Sequence, residues 1–213
     1  NKNKVYFIQN KALELCLFLS LPATVSLLIA SEEITSSLFG YGSFDYLSVK
    51  NSANALFYFA FGLPAFSMIK IFSSFLFARH NTKIPFYFSV FSVISNILIS
   101  VSFFNKIGFI IIPIATTISS WFNVIILFIY LTNKKYYLIN LNFIKSMFKI
   151  ILSTILTSYI FYNLINFFSE NLTYKSEYKL ITITLLVIVT FFIYISISIL
   201  TKAFKTSDIK LKY

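Results

Sequence analysis

Cysteine, histidine, glycine and acidic residues are all scarce in this 213-residue chain, and each shortage removes a class of chemistry. The single cysteine, Cys16, has no internal disulfide partner, and one histidine cannot complete a Cys/His set with metal-ligand spacing. Four glycines form no loop that would cradle a phosphate. Seven carboxylates provide no acid/base pair inside an apolar segment, and His80 sits in a basic loop, where it reads as a solvated side chain. The chain therefore does not read as an enzyme, and no cofactor or metal is expected.

What is abundant is oil. Hydrophobic residues make up 58% of the chain and charged residues only 12%, with 27 Phe and 14 Tyr. A soluble domain of this length cannot hide that much apolar surface in one core, so lipid must solvate it. Crossing a hydrocarbon layer takes roughly 20 apolar residues. Six runs qualify: 12–30, 53–77, 85–104, 109–132, 150–168 and 180–200. The expected fold class is an all-α polytopic membrane protein with six transmembrane helices. No internal repeat, low-complexity linker or soluble domain interrupts them.

The formal charge of +11 does not mark a nucleic-acid binder, because the basic residues lie between spans instead of clustering on one wet face. With the N-terminal flank in the cytoplasm, one side collects Lys2, Lys4, Lys11, Arg79, Lys83, Lys134, Lys135, Lys145, Lys149, Lys202, Lys205, Lys210 and Lys212. The other side keeps Lys50, Lys106, Lys175 and Lys179, together with Glu32, Glu33, Asp45, Glu170 and Glu177. That asymmetry follows the positive-inside rule and predicts both ends of the segment in the cytoplasm. The first residue is not Met and no cleavable leader pattern is present, so the chain reads as part of something larger.

The longest connection, 31–52, contains "SLFGYGSFDYLS". Gly40 and Gly42 permit a turn, Ser43 is positioned to cap a short interfacial helix, and Phe39, Tyr41, Phe44 and Tyr46 suit the headgroup level. Pro22, Pro64 and Pro113 fall inside spans, where proline leaves a carbonyl without its partner and bends the axis.

Polar residues within the spans are the candidate functional groups. Lys70 lies nine residues before Arg79, about 13 Å along a helix and well below the cytoplasmic interface. Placing a lysine near mid-span costs roughly 2.5 to 3.5 kcal/mol. Either its stem snorkels to the headgroups, or its ammonium faces a wet cavity and holds an anion. Ser67 and Ser74 flank it at spacings of three and four and share its stripe. Asn96 and Asn123 lie on serine- and threonine-rich stripes of the third and fourth spans, read chiefly as helix-packing amides that meet near the same depth. Lys145 and Lys149, at i,i+4 before the fifth span, suit anionic lipid headgroups. The last two spans carry no ionisable group except tyrosine and offer either a lipid-facing surface or a groove for a long acyl or prenyl chain.

Three blocks carry a family resemblance: "LPATVSLLIASEEITSSLFGYGSFD" at 21–45, "FGLPAFSMIKIFSSFLFARHNTKIPF" at 61–86 and "GFIIIPIATTISSWFNVIIL" at 108–127. In order and spacing they resemble the C-terminal part of the MurJ (MviN) lipid II flippase family of the MOP exporter superfamily. The resemblance covers roughly residues 10–205, beyond residue 130 by hydropathy alone. It implies that the chain supplies the last six of fourteen spans, with the N-terminal half of the same transporter lying upstream. It also implies a bacterial inner-membrane location, a lipid-linked peptidoglycan precursor (lipid II) as substrate and alternating access as mechanism. Lys70 and Arg79 fall on basic positions of the family pattern, which implies a substrate-binding or gating role for them, with Ser67 and Ser74 beside Lys70. The alternatives are an exporter of another lipid-linked oligosaccharide or drug in the same superfamily, and a non-transporting membrane scaffold.

Overall fold

The computed structural model describes residues 2–203, so Lys205, Lys210 and Lys212 of the expected cytoplasmic cluster lie outside the described residues. Every regular element among the described residues is helical. In chain order these are α1 (Lys2–Ile29), α2 (Ser31–Phe39), α3 (Tyr46–Ala60), α4 (Leu63–Phe77), α5 (Lys83–Ile107), α6 (Ile111–Asn133), α7 (Leu141–Phe167) and α8 (Lys179–Leu200), with 3₁₀ turns at Gly108–Ile110 and Ser169–Leu172. α1 begins ten residues before the apolar run at 12–30, because nothing between Lys2 and Lys11 breaks a helix. α7 likewise starts nine residues before Ile150.

Among the described residues, four stretches are long and apolar enough to cross a membrane: Lys2–Ile29, Lys83–Asn133, Leu141–Phe167 and Lys179–Leu200. A fifth forms if Tyr46–Ala60 and Leu63–Phe77, bent by 43° at the break between them, count as one span. The break falls at Phe61 and Gly62, just before Pro64. Two carbonyls beside it are recovered by side chains of α6: Thr117 Oγ1 donates to Tyr58 O at 2.8 Å and Trp121 Nε1 to Phe61 O at 3.0 Å. In hydrocarbon, where no water replaces a lost backbone partner, such bonds make a bent helix tolerable.

Lys83–Asn133 spans 51 residues, about 76 Å if straight, and a hydrocarbon layer is about 30 Å thick. It folds back on itself. Gly108 takes φ +73, a conformation open to glycine and strained for other residues, and reverses the chain. Ser92 Oγ then donates to Ser119 O at 2.9 Å and Asn96 Nδ2 to Thr116 Oγ1 at 2.9 Å, which sets an antiparallel register between α5 and α6.

The described chain divides into two compact units. One comprises the described residues up to Ser20 with Ala55–Phe143; the other comprises Leu21–Asn54 and the described residues from Ile144 onward. The first is built around Leu13, Phe72, Phe75, Leu76, Leu127, Leu131 and Tyr137. Tyr137 stacks on Phe75 with centroids 5.9 Å apart and donates its hydroxyl to Asn10 Oδ1 at 2.9 Å, and burial pushes its phenol well above the usual range. Asn10 in turn donates to Leu138 O at 2.8 Å, so one buried amide fastens the α6–α7 connection to α1. In the second unit Ala30, Phe161, Ile165, Leu172, Ile183 and Leu186 pack together.

Helix ends in this glycine-poor chain have an unusual feature. α4, α6 and α8 each stop in a Schellman motif whose left-handed residue is not glycine but His80 (φ 55), Lys135 (φ 54) or Lys202 (φ 56). The six-to-one bonds are Asn81 N to Leu76 O, Tyr136 N to Leu131 O and Ala203 N to Ser198 O. At the start of α3 the cap is Asp45 instead of the expected Ser43: Asp45 Oδ1 accepts from Ser48 N at 2.8 Å. Hydrogen bonds from Ser48 hold the Asp45 carboxyl below the ordinary carboxylate range.

Candidate functional site

Pro64 in the first turn starts α4 at no hydrogen-bonding cost. Ala65, Phe72, Phe75 and Leu76 then bury one face in the first unit's core. Lys70, Ser74 and Phe77 follow at helical spacing on the exposed side. Among the described residues Lys70 makes no hydrogen bond, ion pair or ring contact. Its flanking hydroxyls are engaged: Ser67 Oγ donates to Leu63 O at 3.0 Å and Ser74 Oγ to Ile71 O at 2.7 Å. Each serine therefore turns its proton to the helix backbone, and half-buried Ser67 also meets the Cys16 thiol of α1, which leaves the ammonium as the free donor group of the stripe.

Arg79 does not share that environment. Its Nη1 donates to Phe75 O at 2.7 Å and its Nη2 to Tyr136 O at 2.9 Å, and the guanidinium carbon stands 4.7 Å from the centroid of the Tyr136 ring. It closes the end of α4 and ties it to the turn after α6, using the two-pronged geometry that distinguishes arginine from lysine. Lys70 and Arg79 lie at opposite ends of about 13 Å of helix, so one small group cannot bridge them directly.

The amides also part company. Asn96 bonds to Thr116 across the hairpin and accepts from Ser100 Oγ at 3.3 Å. Asn123 is seven residues beyond Thr116, about 10 Å from the level of Asn96, so the two do not meet as the run lengths had indicated. It is buried, and its Oδ1 has no hydrogen-bond partner among the described residues. Lys145 is exposed on the first turns of α7. Lys149, one turn on, reaches Lys202 O at 3.5 Å, where a cation complements the C-terminal end of α8.

Sequence reading overlooked Lys179, which it counted as one more loop cation. In the fold it is 2% exposed at the start of α8. Its Nζ donates to Gly40 O at 2.7 Å and to Tyr174 O at 2.8 Å, and stands 4.3 Å and 4.8 Å from the ring centroids of Tyr41 and Tyr174. Gly40 is required for this approach, because a Cβ there would come within 2.5 Å of Ser36 O and 3.2 Å of Lys179 Nζ. Tyr174 OH also donates to Phe44 O at 2.8 Å. The signal in the sequence was the supply of tyrosines in both loops: Tyr41 was assigned to the headgroup level and Tyr174 was given no role.

Comparison with known proteins places the chain. A family profile described as "Lipid II flippase MurJ" matches residues 1–183. A probable lipid II flippase MurJ of Rickettsia prowazekii is 34% identical over 179 residues, covering 84% of this chain and 35% of that protein. One from Thermotoga maritima is 38% identical over 103 residues, covering 48% of this chain and 22% of the relative. A solved structure titled "Lipid II flippase MurJ, inward closed conformation" is 25% identical and matches 95% of this chain and 40% of its own, with a TM-score of 0.75. The chain thus spans about a third of the Rickettsia relative's length. On the family match over residues 1–183 and on its apolar helical build, the chain belongs to the MurJ lipid II flippase family of multi-pass membrane proteins.

Proposed function

We propose that this chain forms the C-terminal part of a transporter that carries an undecaprenyl-pyrophosphate-linked peptidoglycan precursor across the bacterial inner membrane by alternating access. It makes six crossings, with α5 and α6 counted separately and α3 with α4 counted once. Both ends of the segment face the cytoplasm, and adjoining sequence supplies the N-terminal half of a fourteen-span molecule. Family membership supports the cargo and the class; the relatives' greater length supports the missing half.

The observation that carries a role for this segment is Lys70, an exposed ammonium on an apolar helix with no partner among the described residues. An anionic headgroup such as a pyrophosphate is the chemistry that such a donor fits. Ser67 and Ser74 frame it through their acceptor lone pairs, and Arg79 acts on the same step by holding the end of α4 in place. Lys145 and Lys149 meet anionic lipid headgroups, and the uncharged faces of α7 and α8 accompany the polyprenyl chain.

The test is substitution in the intact protein. A charge-assisted hydrogen bond contributes about 1.5–3 kcal/mol, which corresponds to roughly 10- to 150-fold. Lys70→Met is therefore expected to lower lipid II translocation at least ten-fold in proteoliposomes, while Lys70→Arg keeps most of it. Translocation by Lys70→Met at the wild-type rate would leave Lys70 as a snorkelling residue and remove this segment's claim on the headgroup.

A further inference from the structure

α4 and α5 each pack on α6 and barely touch one another, which leaves a cleft of about 600 Å³ between them beside their connecting turn. Ser73 and Phe77 of α4 and Lys83, Phe86, Tyr87 and Ser89 of α5 line it; Lys70, the group of the cargo reading, does not. We propose that this cleft holds one anionic phospholipid, with its phosphate at Lys83 and its glycerol esters between Ser73 and Ser89.

Charge sets the sign of the ligand. Lys83 is exposed in the first turn of α5, and its ammonium makes no ion pair, hydrogen bond or ring contact among the described residues. No nearby carboxylate can neutralise it. The sequence has no acidic residue from Tyr46 to Ser169, and Glu14, the one carboxylate among the first unit's described residues, is held by Lys11 at 2.9 Å. The cleft therefore keeps a whole positive charge at the edge of an apolar helix, where a lipid phosphate is the complement.

The hydroxyls choose a lipid over a free anion. Ser67, Ser74 and Ser95 on the same two helices donate to their own backbone, the usual arrangement where water is absent. Ser73, Tyr87 and Ser89 do not: their hydroxyls have no hydrogen-bond partner among the described residues, and all three residues line the cleft. Ser89 lies six residues past Lys83 and Ser73 six before Arg79, about 9 Å along each helix toward the apolar middle. An inorganic phosphate held at Lys83 does not reach that depth. A phospholipid carries ester carbonyls beneath its phosphate, and each can accept a hydrogen bond from a serine. Phe77 and Phe86, both more than half exposed, then meet the first methylenes of the acyl chains. The volume is that of a small-molecule site, room for phosphate, glycerol and esters with the chains left in the bilayer. The proposal needs the chain's place in a membrane and not the role given to Lys70.

The test places the intact purified protein in phosphatidylcholine nanodiscs that contain a small fraction of phosphatidylglycerol bearing a diazirine at the top of one acyl chain. Illumination should attach the probe at Phe77, Phe86 or Tyr87, and unlabelled phosphatidylglycerol should displace it while millimolar inorganic phosphate does not. At sub-saturating probe, Lys83→Gln should lower this labelling ten-fold or more, and Ser73→Ala combined with Ser89→Ala five-fold or more, as expected for loss of a charged and of two neutral hydrogen bonds. These side chains have no partner within the fold, so the variants should melt with the wild type. Lys106→Gln, at the far end of α5, should leave the labelling unchanged. Equal labelling by a matched phosphatidylcholine probe, label spread evenly along α5, or indifference to both sets of cleft variants would overturn the assignment. Displacement by inorganic phosphate, or by stoichiometric lipid II against an excess of phosphatidylglycerol, would overturn it too, and would identify a free anion or the transported cargo as the occupant.

Discussion

Lys179→Met is the most demanding test of the fold, because it removes a buried charge while keeping nearly all the volume. In the wild type the ammonium satisfies Gly40 O and Tyr174 O and lies against two tyrosine rings. Methionine fills the same channel but donates nothing, so two carbonyls lose their partner where water has little access. At about 1–3 kcal/mol each this costs about 2–6 kcal/mol. The two ring contacts add about 0.5–2 kcal/mol each. Against these stands the relief of dehydrating an ammonium, an effective penalty of several kcal/mol. The carbonyls should win, because they cannot turn to solvent while Gly40 holds the backbone close, for a net loss of about 2–4 kcal/mol. Thermal unfolding in detergent, together with protease sensitivity of the 40–45 turn, measures it. A variant that melts at or above the wild-type temperature with the turn still protected would refute the reasoning, and would mean that burying the charge costs as much as its contacts return.

Two further outcomes follow from the same geometry. Burial, with a smaller contribution from neighbouring Glu32, pushes the Glu33 carboxyl above the ordinary carboxylate range. A carboxyl raised on folding gives stability that is present below its unfolded pKa and lost as pH rises through the folded one. Glu33→Gln should therefore melt higher than wild type at neutral pH and converge with it in acid; equal melting at pH 7 would contradict the shift. Lys135→Gly places glycine at a left-handed helix end where lysine is strained, and should raise stability by about 1 kcal/mol in thermal melts, whereas a loss would show that the lysine stem contributes packing there.

The apolar runs could be read from sequence because lipid selects for composition over some twenty residues, and no partner need be known to see it. Ends and bends were harder. α4 stops at Phe77, yet the residue that takes the left-handed turn is His80, whose preference for that region is far weaker a signal than a glycine would be. Asp45 and Ser43 are both good caps by type, and only the three-residue offset to Ser48 N decides between them. Asn96 and Asn123 were judged level from the lengths of their runs, whereas depth depends on the hairpin register, which Ser92 and Ser119 help set. Lys179 was least legible, since both of its hydrogen-bond partners are backbone carbonyls, which residue type does not reveal, and one of them is 139 residues away. Lys70 could be located from sequence, but whether its neighbours offer protons or lone pairs could not.

The α5–α6 hairpin has a consequence for how this protein can vary. Of the 25 residues in α5, Pro85 is the one buried, while Phe, Ile, Leu and Val fill most of the rest. A surface judged chiefly on oiliness tolerates exchange among these residues freely, so mutational scanning should find long silent tracts there. Ser92, Asn96 and Gly108 should stand out as isolated sensitive sites, because two bonds across the pair and one reversed backbone angle hold the ribbon in register.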